Sequence, residues 1–240
     1  MNKEKLLYEN SKQALQSDNI IAITNRHLCS RPFMEQLERV CKLHPHAIVL
    51  REKDMPEAEY LSLARDVIAL CKEYDVQCML HSFINVAMEL EHPYIHLPLP
   101  ILEAYVKKNV SGNISTDMSK NTDHYQQFFK VIGTSVHSVE DAIKAEQLGA
   151  TYMTAGHIFA TDCKKGLPPR GLDFLKNVCD AVGIPVYAIG GINIASSDDS
   201  TASDAPSTYD AIPDISVLRL AEVMECGAAG GCIMSGMMRV

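Results

Sequence analysis

Thr151-Tyr152-Met153-Thr154-Ala155 runs straight into Gly156-His157-Ile158-Phe159-Ala160-Thr161-Asp162-Cys163-Lys164-Lys165-Gly166, and this passage decides how the chain folds. The first five residues form a short apolar run ended by a glycine, the mark of a buried strand. A histidine, a threonine, an aspartate and two lysines then crowd into one turn-rich loop. A buried strand that ends in protonatable and cationic groups is expected to face a ligand there, because scaffold-borne loops carry binding and catalysis. The passage therefore points to an enzyme.

The same unit repeats on both sides. Further apolar runs predict strands at Ile20–Thr24, Ala47–Arg51, Gln77–His81, Pro93–His96, Lys130–Thr134, Pro185–Ile189 and Gly230–Met234. Helical patterns separate them near Phe33–Leu43, Glu57–Tyr74, Ile84–Glu91, Ile101–Lys108, Ser138–Gln147, Gly171–Val182 and Ser216–Cys226. In the second helix, Leu61, Ala64, Val67, Ile68 and Cys71 share one face. Ser138 followed by Glu140 and Asp141 reads as an N-cap with an acidic first turn. Strands alternating with helices imply a parallel α/β protein, and eight repeats favour a closed (β/α)8 TIM barrel. A doubly wound open sheet is the alternative, since one sequence does not order its strands.

Residues 20–240 are expected to form a single barrel domain, preceded by a helical segment over 1–19. Within that segment, Lys3–Gln16 has the propensity to cover a barrel wall left open by a shortened C-terminus after the eighth strand. Polar insertions near 110–124 and 195–214 carry too little apolar content to pack by themselves. The second is expected to overhang the barrel mouth.

Thirty acidic residues against 22 basic ones give a net charge of -8, which argues against a nucleic-acid surface. A local anion site needs only a few cations or helix N-termini and stays open. The eight cysteines form no C-x-x-C pair, and the first twenty residues contain no signal-peptide core. Reduced thiols in a cytoplasmic protein are expected. No apolar run is long enough to span a membrane.

Barrel enzymes assemble their sites at the C-terminal strand ends. Those ends are Arg51-Glu52-Lys53, His81, His96, Ser135-Val136-His137, Gly156-His157, Gly190-Gly191-Ile192 and Ser235-Gly236. Gly190, Gly191, Ser235 and Gly236 suggest a phosphate pocket, because glycine lets backbone N–H groups approach an anion. They also suit plain tight turns. His157 is the candidate for proton transfer, an imidazole titrating near about 6.5; its alternative is a rim histidine bonded to a carbonyl. Thr161, Lys164, Lys165, Arg51 and Lys53 supply anion-binding groups, with one of the two adjacent lysines idle. His81 and His96 lack a third ligand of suitable spacing, so no metal is expected. His137 either caps a helix or meets a substrate oxygen.

Ile132-Gly133-Thr134-Ser135-Val136-His137-Ser138, the loop Gly156–Gly166 and Pro185–Ile192 together resemble the thiamine phosphate synthase/TenI superfamily. The resemblance covers most of the chain from Ile20 onward. It implies a (β/α)8 barrel working on a thiazole phosphate. Synthases of this kind hold Mg²⁺ with an Asn-Asp pair after strand three and an aspartate after strand four. Here those places read His81-Ser82 and Leu97-Pro98-Leu99-Pro100. Val49 stands for an expected glutamine and Cys163 for an expected threonine, whereas Arg51, Lys53, Ser135, Thr161 and Lys164 match. TenI-type thiazole tautomerases place a histidine after the glycine ending strand six, as Gly156-His157 does. The resemblance thus implies a tautomerase with His157 as the proton-transfer residue, without metal or cofactor. Lys53 departs from some tautomerases. A synthase with a displaced metal site and a non-catalytic thiazole phosphate-binding barrel are the alternatives. The expected partner is a small-molecule thiazole phosphate, with no nucleic acid and no membrane; assembly with identical copies stays open.

Overall fold

The computed structural model describes residues 19–111, 128–161, 164, 166–193 and 215–240. Its strands are β1 (Ile20–Ile23), β2 (Ala47–Leu50), β3 (Gln77–His81), β4 (Tyr94–Pro98), β5 (Val131–Val136), β6 (Tyr152–Gly156), β7 (Val186–Ile189) and β8 (Gly230–Ile233). They close in sequence order into an all-parallel barrel, with β1 paired to both β2 and β8. Closure excludes the open doubly wound sheet. Helices α1 (Phe33–Cys41), α2 (Glu57–Glu73), α3 (Ile84–Glu89), α4 (Leu99–Ser111), α5 (Val139–Gln147), α6 (Gly171–Ala181) and α7 (Ile215–Glu225) lie between strands. No helix among the described residues is long and apolar enough to cross a membrane.

The apolar residues form two shells. Outward strand side chains such as Ile48, Leu50, Leu80, Ile95 and Leu97 pack against the helices. Inward ones, including Ile21, Ile23, Val49, Met79, Tyr152, Tyr187 and Cys232, fill the barrel. Strands buried on both faces must read as continuous apolar runs, which explains their legibility in the sequence. Tyr60 of α2 is fully buried, donates to the Leu50 carbonyl at 2.7 Å and accepts from the His81 N–H at 2.9 Å. One phenol thereby fixes the mouth ends of β2 and β3.

Several boundaries differ from the sequence expectation. β5 continues through Ser135 and Val136, so Ser135 is a strand residue, paired with Pro98 and Thr154. Helix α4 begins at Leu99, because Pro100 is tolerated in a first turn where its missing N–H has no partner to lose. It also runs through Val110 and Ser111, which the sequence placed in a polar insertion. The rest of that insertion, the 195–214 insertion and the 1–18 segment lie outside the described residues. A 3-10 turn at Arg26–Leu28 was not anticipated; Asn25 caps it by accepting from the His27 N–H. After β8 the chain turns and docks on α1, where Gln36 donates to the Met237 carbonyl at 2.8 Å and Arg31 to that of Val240.

Candidate active site

The mouth of the barrel carries its cations on one side. Arg51 and Lys53 follow β2, and Lys164 lies in the loop after β6. Partial burial and then repulsion from Arg51 and Lys164 hold the Lys53 ammonium below its usual pKa. These three cations therefore share one region, and an anion arriving there would relieve their repulsion. Among the described residues, the carboxylates that follow β2 are already engaged. Glu52 is buried, accepts from Thr24 Oγ1 at 2.6 Å and pairs with the Arg26 guanidinium at 2.9 Å. Asp54 takes both the same guanidinium at 2.7 Å and the His27 ring at 2.9 Å. Thr24 also accepts from the Arg51 N–H at 2.8 Å, which fixes the backbone that carries the first cation.

Below the cations lie two buried histidines. His81 and His96 stack with ring centroids 5.6 Å apart. Burial pushes His81 down to about 2 and His96 to about 3, with further repulsion from His96, Lys53 and Arg51 on the former and from Lys53 and Arg51 on the latter. Both rings are therefore neutral at ordinary pH. His81 Nδ1 meets Ser82 Oγ at 2.8 Å, while His96 bridges Tyr152 Oη and Ser135 Oγ, each at 2.9 Å.

His157 stands across the β6–β7 edge and is half-buried. Its loop is tied down by the Ile158 N–H to the Ile189 carbonyl at 2.9 Å and the Phe159 N–H to the Gly190 carbonyl at 3.1 Å. His137 donates from Nδ1 to the Gly156 carbonyl at 2.8 Å, anchoring the residue before His157. Among the described residues, the His157 ring has one hydrogen-bond contact, Nε2 to the Leu167 carbonyl, at 3.4 Å. Its Nδ1 has no partner among the described residues, so that nitrogen is available to exchange a proton.

Gly190 and Gly191 have φ of +101° and +73°. A Cβ on Gly190 would fall 2.4 Å from His157 Cβ, and one on Gly191 2.6 Å from Phe159 Cβ. The glycines thus let the two loops touch, whatever their part in binding phosphate. Arg219 of α7 donates to the Gly191 carbonyl and lies over the Phe159 ring at 5.0 Å. Ser235 donates to Asn193 Oδ1 at 2.9 Å, and Gly236 follows in the same turn. Thr161 is half-buried in the β6 loop, its carbonyl accepting from the Lys164 N–H at 3.0 Å; Asp162, Cys163 and Lys165 lie outside the described residues.

Arg219, Asn193 and Tyr152 are contacts that the sequence reading missed. Arg219 had one weak signal, a lone cation in the apolar run Ile215–Glu225. Tyr152 looked like core, and its hydroxyl partner lies 56 residues away.

Among the described residues, the ends of β3 and β4 do not suit a divalent cation. The strand ends β3 and β4 present neutral, buried imidazoles under the repulsion of Arg51 and Lys53, whereas Mg²⁺ requires oxygen ligands. Among the described residues no three His, Cys, Asp or Glu side chains are grouped to hold a metal.

Comparison with known proteins gives a consistent picture. The family model described as thiamine monophosphate synthase (TMP-TENI) matches residues 20–237. A protein of Aquifex aeolicus (strain VF5), provisionally named thiamine-phosphate synthase 2, is 35% identical over 173 residues, 72% of this chain and 84% of its own length. A Pyrococcus furiosus thiamine-phosphate synthase is 30% identical over 174 residues, 72% of this chain and 75% of the relative. The solved thiamine phosphate pyrophosphorylase from Pyrococcus furiosus superposes with a TM-score of 0.65 at 26% identity, covering 93% of this chain and 89% of that one. The relatives' names favour the synthase alternative over the tautomerase expectation.

Proposed function

Because the chain belongs to the thiamine monophosphate synthase/TenI family, we propose that it is a thiazole tautomerase, aromatising a carboxythiazole phosphate through His157. One observation carries this choice within the family. The mouth gathers Arg51, Lys53 and Lys164 around neutral histidines, and the carboxylates of Glu52 and Asp54 beside them are consumed by Arg26 and His27. That arrangement favours a substrate with two anionic groups and disfavours a hard cation.

The chemistry is a proton shift. His157 Nδ1 takes the proton from the ring carbon that bears the carboxylate, and the electron pair left behind delocalises into the ring. The same imidazole returns that proton to the exocyclic carbon, so no atom is gained or lost. One base reaching both carbons suffices. The phosphate sits against the Gly190-Gly191 turn, Ser235 and Gly236, and the carboxylate meets Arg51, Lys53 or Lys164. Ser135 and Thr161 complete the wall, and His137 holds the Gly156 carbonyl. Their part is positioning, which is worth as much as the proton transfer itself.

The relatives' names support a second reading, coupling of a pyrimidine diphosphate to thiazole phosphate with release of pyrophosphate. Purified protein incubated with the thiazole tautomer separates the two by ultraviolet absorbance. Conversion by wild type, lost in His157→Gln, supports the tautomerase. No conversion, with pyrophosphate released from the two synthase substrates in the presence of Mg²⁺, establishes the second reading instead.

A further inference from the structure

We infer that Tyr152 fixes the tautomer of His96 and, through it, makes Ser135 a hydrogen-bond donor to an anionic ligand oxygen in the barrel mouth. Three buried donors, each with one acceptor, carry the argument. Tyr152 is 7% exposed, and among the described residues its hydroxyl meets only His96 Nδ1, at 2.9 Å. A buried O–H left without an acceptor costs more than the bond is worth, so the phenol donates to Nδ1. Burial keeps the phenol protonated and His96 neutral. A neutral imidazole has a single N–H, which must then sit on Nε2.

That Nε2–H points at Ser135 Oγ, 2.9 Å away. Thr154, 2% exposed, has the same oxygen as its hydroxyl's one described partner, at 3.0 Å, and donates to it by the same reasoning. Both lone pairs of Ser135 Oγ are thereby filled. Its own proton is left over, on a half-buried side chain at the mouth end of β5. The oxygen that accepts it belongs to the anionic substrate proposed above, since Arg51 and Lys53, which follow β2, stand at the same barrel mouth. Gly133 makes the arrangement possible, since a Cβ there would lie 2.2–2.4 Å from the end of the Tyr152 ring.

The tautomer is independent of the proposed activity, whereas the ligand oxygen rests on that reading of the mouth. Long-range proton–nitrogen NMR on the full chain with ¹⁵N-labelled histidine reads the tautomer at pH 7, with His96→Gln assigning the signal. The expected result is a proton on Nε2 in wild type and a population of the Nδ1–H form in Tyr152→Phe. An Nδ1–H form in wild type, or no change in Tyr152→Phe, overturns the inference. For the ligand, Ser135→Ala is expected to weaken binding of the carboxythiazole phosphate about tenfold, the worth of one hydrogen bond to a charged group. Loss with that probe but not with the thiazole phosphate lacking the carboxylate assigns the oxygen to the carboxylate; loss with both assigns it to the phosphate. Tyr152→Phe should add nothing once Ser135 is alanine. Unchanged binding in Ser135→Ala, or a fully additive loss in the double variant, overturns the ligand half and leaves the tautomer standing.

Discussion

Lowering the pH from 7 to 5 should destabilise this barrel steeply, because His81 and His96 are folded in as neutral rings. Their folded pKa values, about 2 and about 3, lie below the ordinary imidazole value. Above about pH 6.5 neither state binds a proton at these sites, and their contribution is fully present. As pH falls from about 6.5 toward about 3, the unfolded chain takes up protons that the folded one refuses, and stability is lost. Each ring costs up to about 1.4 kcal/mol per pH unit, hence about 2 kcal/mol by pH 5 and about 4 kcal/mol for the pair. That is a large share of the 5–15 kcal/mol typical of a folded domain. His92, whose pKa burial also lowers, adds with the same sign. Denaturant midpoints followed by circular dichroism between pH 7 and 5 would measure the slope. His96→Gln and His81→Asn should each remove one ring's share. Stability that is flat over this interval, or variants that keep the full slope, would refute the electrostatic account of the mouth.

Four further outcomes follow from the same geometry. Gly190→Ala should cut the proposed isomerase activity about a hundredfold with the barrel intact, since its Cβ would collide with His157 and displace it; full turnover would show that the loop contact is idle. Gly133→Ala forces the Tyr152 ring to move and should cost about 1–3 kcal/mol, the usual price of overpacking, read as a lower melting temperature. Lys53→Met should weaken inorganic phosphate or carboxylate binding and reduce its salt dependence, while raising the pKa of His96 slightly, because Lys53 is the first charge repelling it. Glu52→Gln should loosen the β1–β2 corner, where Thr24 and Arg26 both depend on the carboxylate; an unchanged melting temperature would contradict that.

The closed barrel was legible because parallel strands buried on both faces must be apolar throughout, as Ile20–Ile23 and Val186–Ile189 are. The strand ends were legible too, since polar residues there interrupt the pattern at fixed places. Boundaries were less so. Ser135 and Val136 look like loop residues beside His137, and only pairing with β4 and β6 keeps them in the strand.

By itself the sequence determined the repeat of strand and helix, the family motifs and which residues stand at the mouth. These are local properties, set by the period of apolar residues and by the chemistry of each turn. The tertiary structure decided what those residues do to one another. It alone brings Tyr152, His96, Thr154 and Ser135 into one chain of hydrogen bonds, sets Lys53 beside Arg51 and Lys164, and gives Glu52 to Arg26. Protonation states and donor directions depend on burial and on charges from distant strands, and barrel closure is what places those strands side by side.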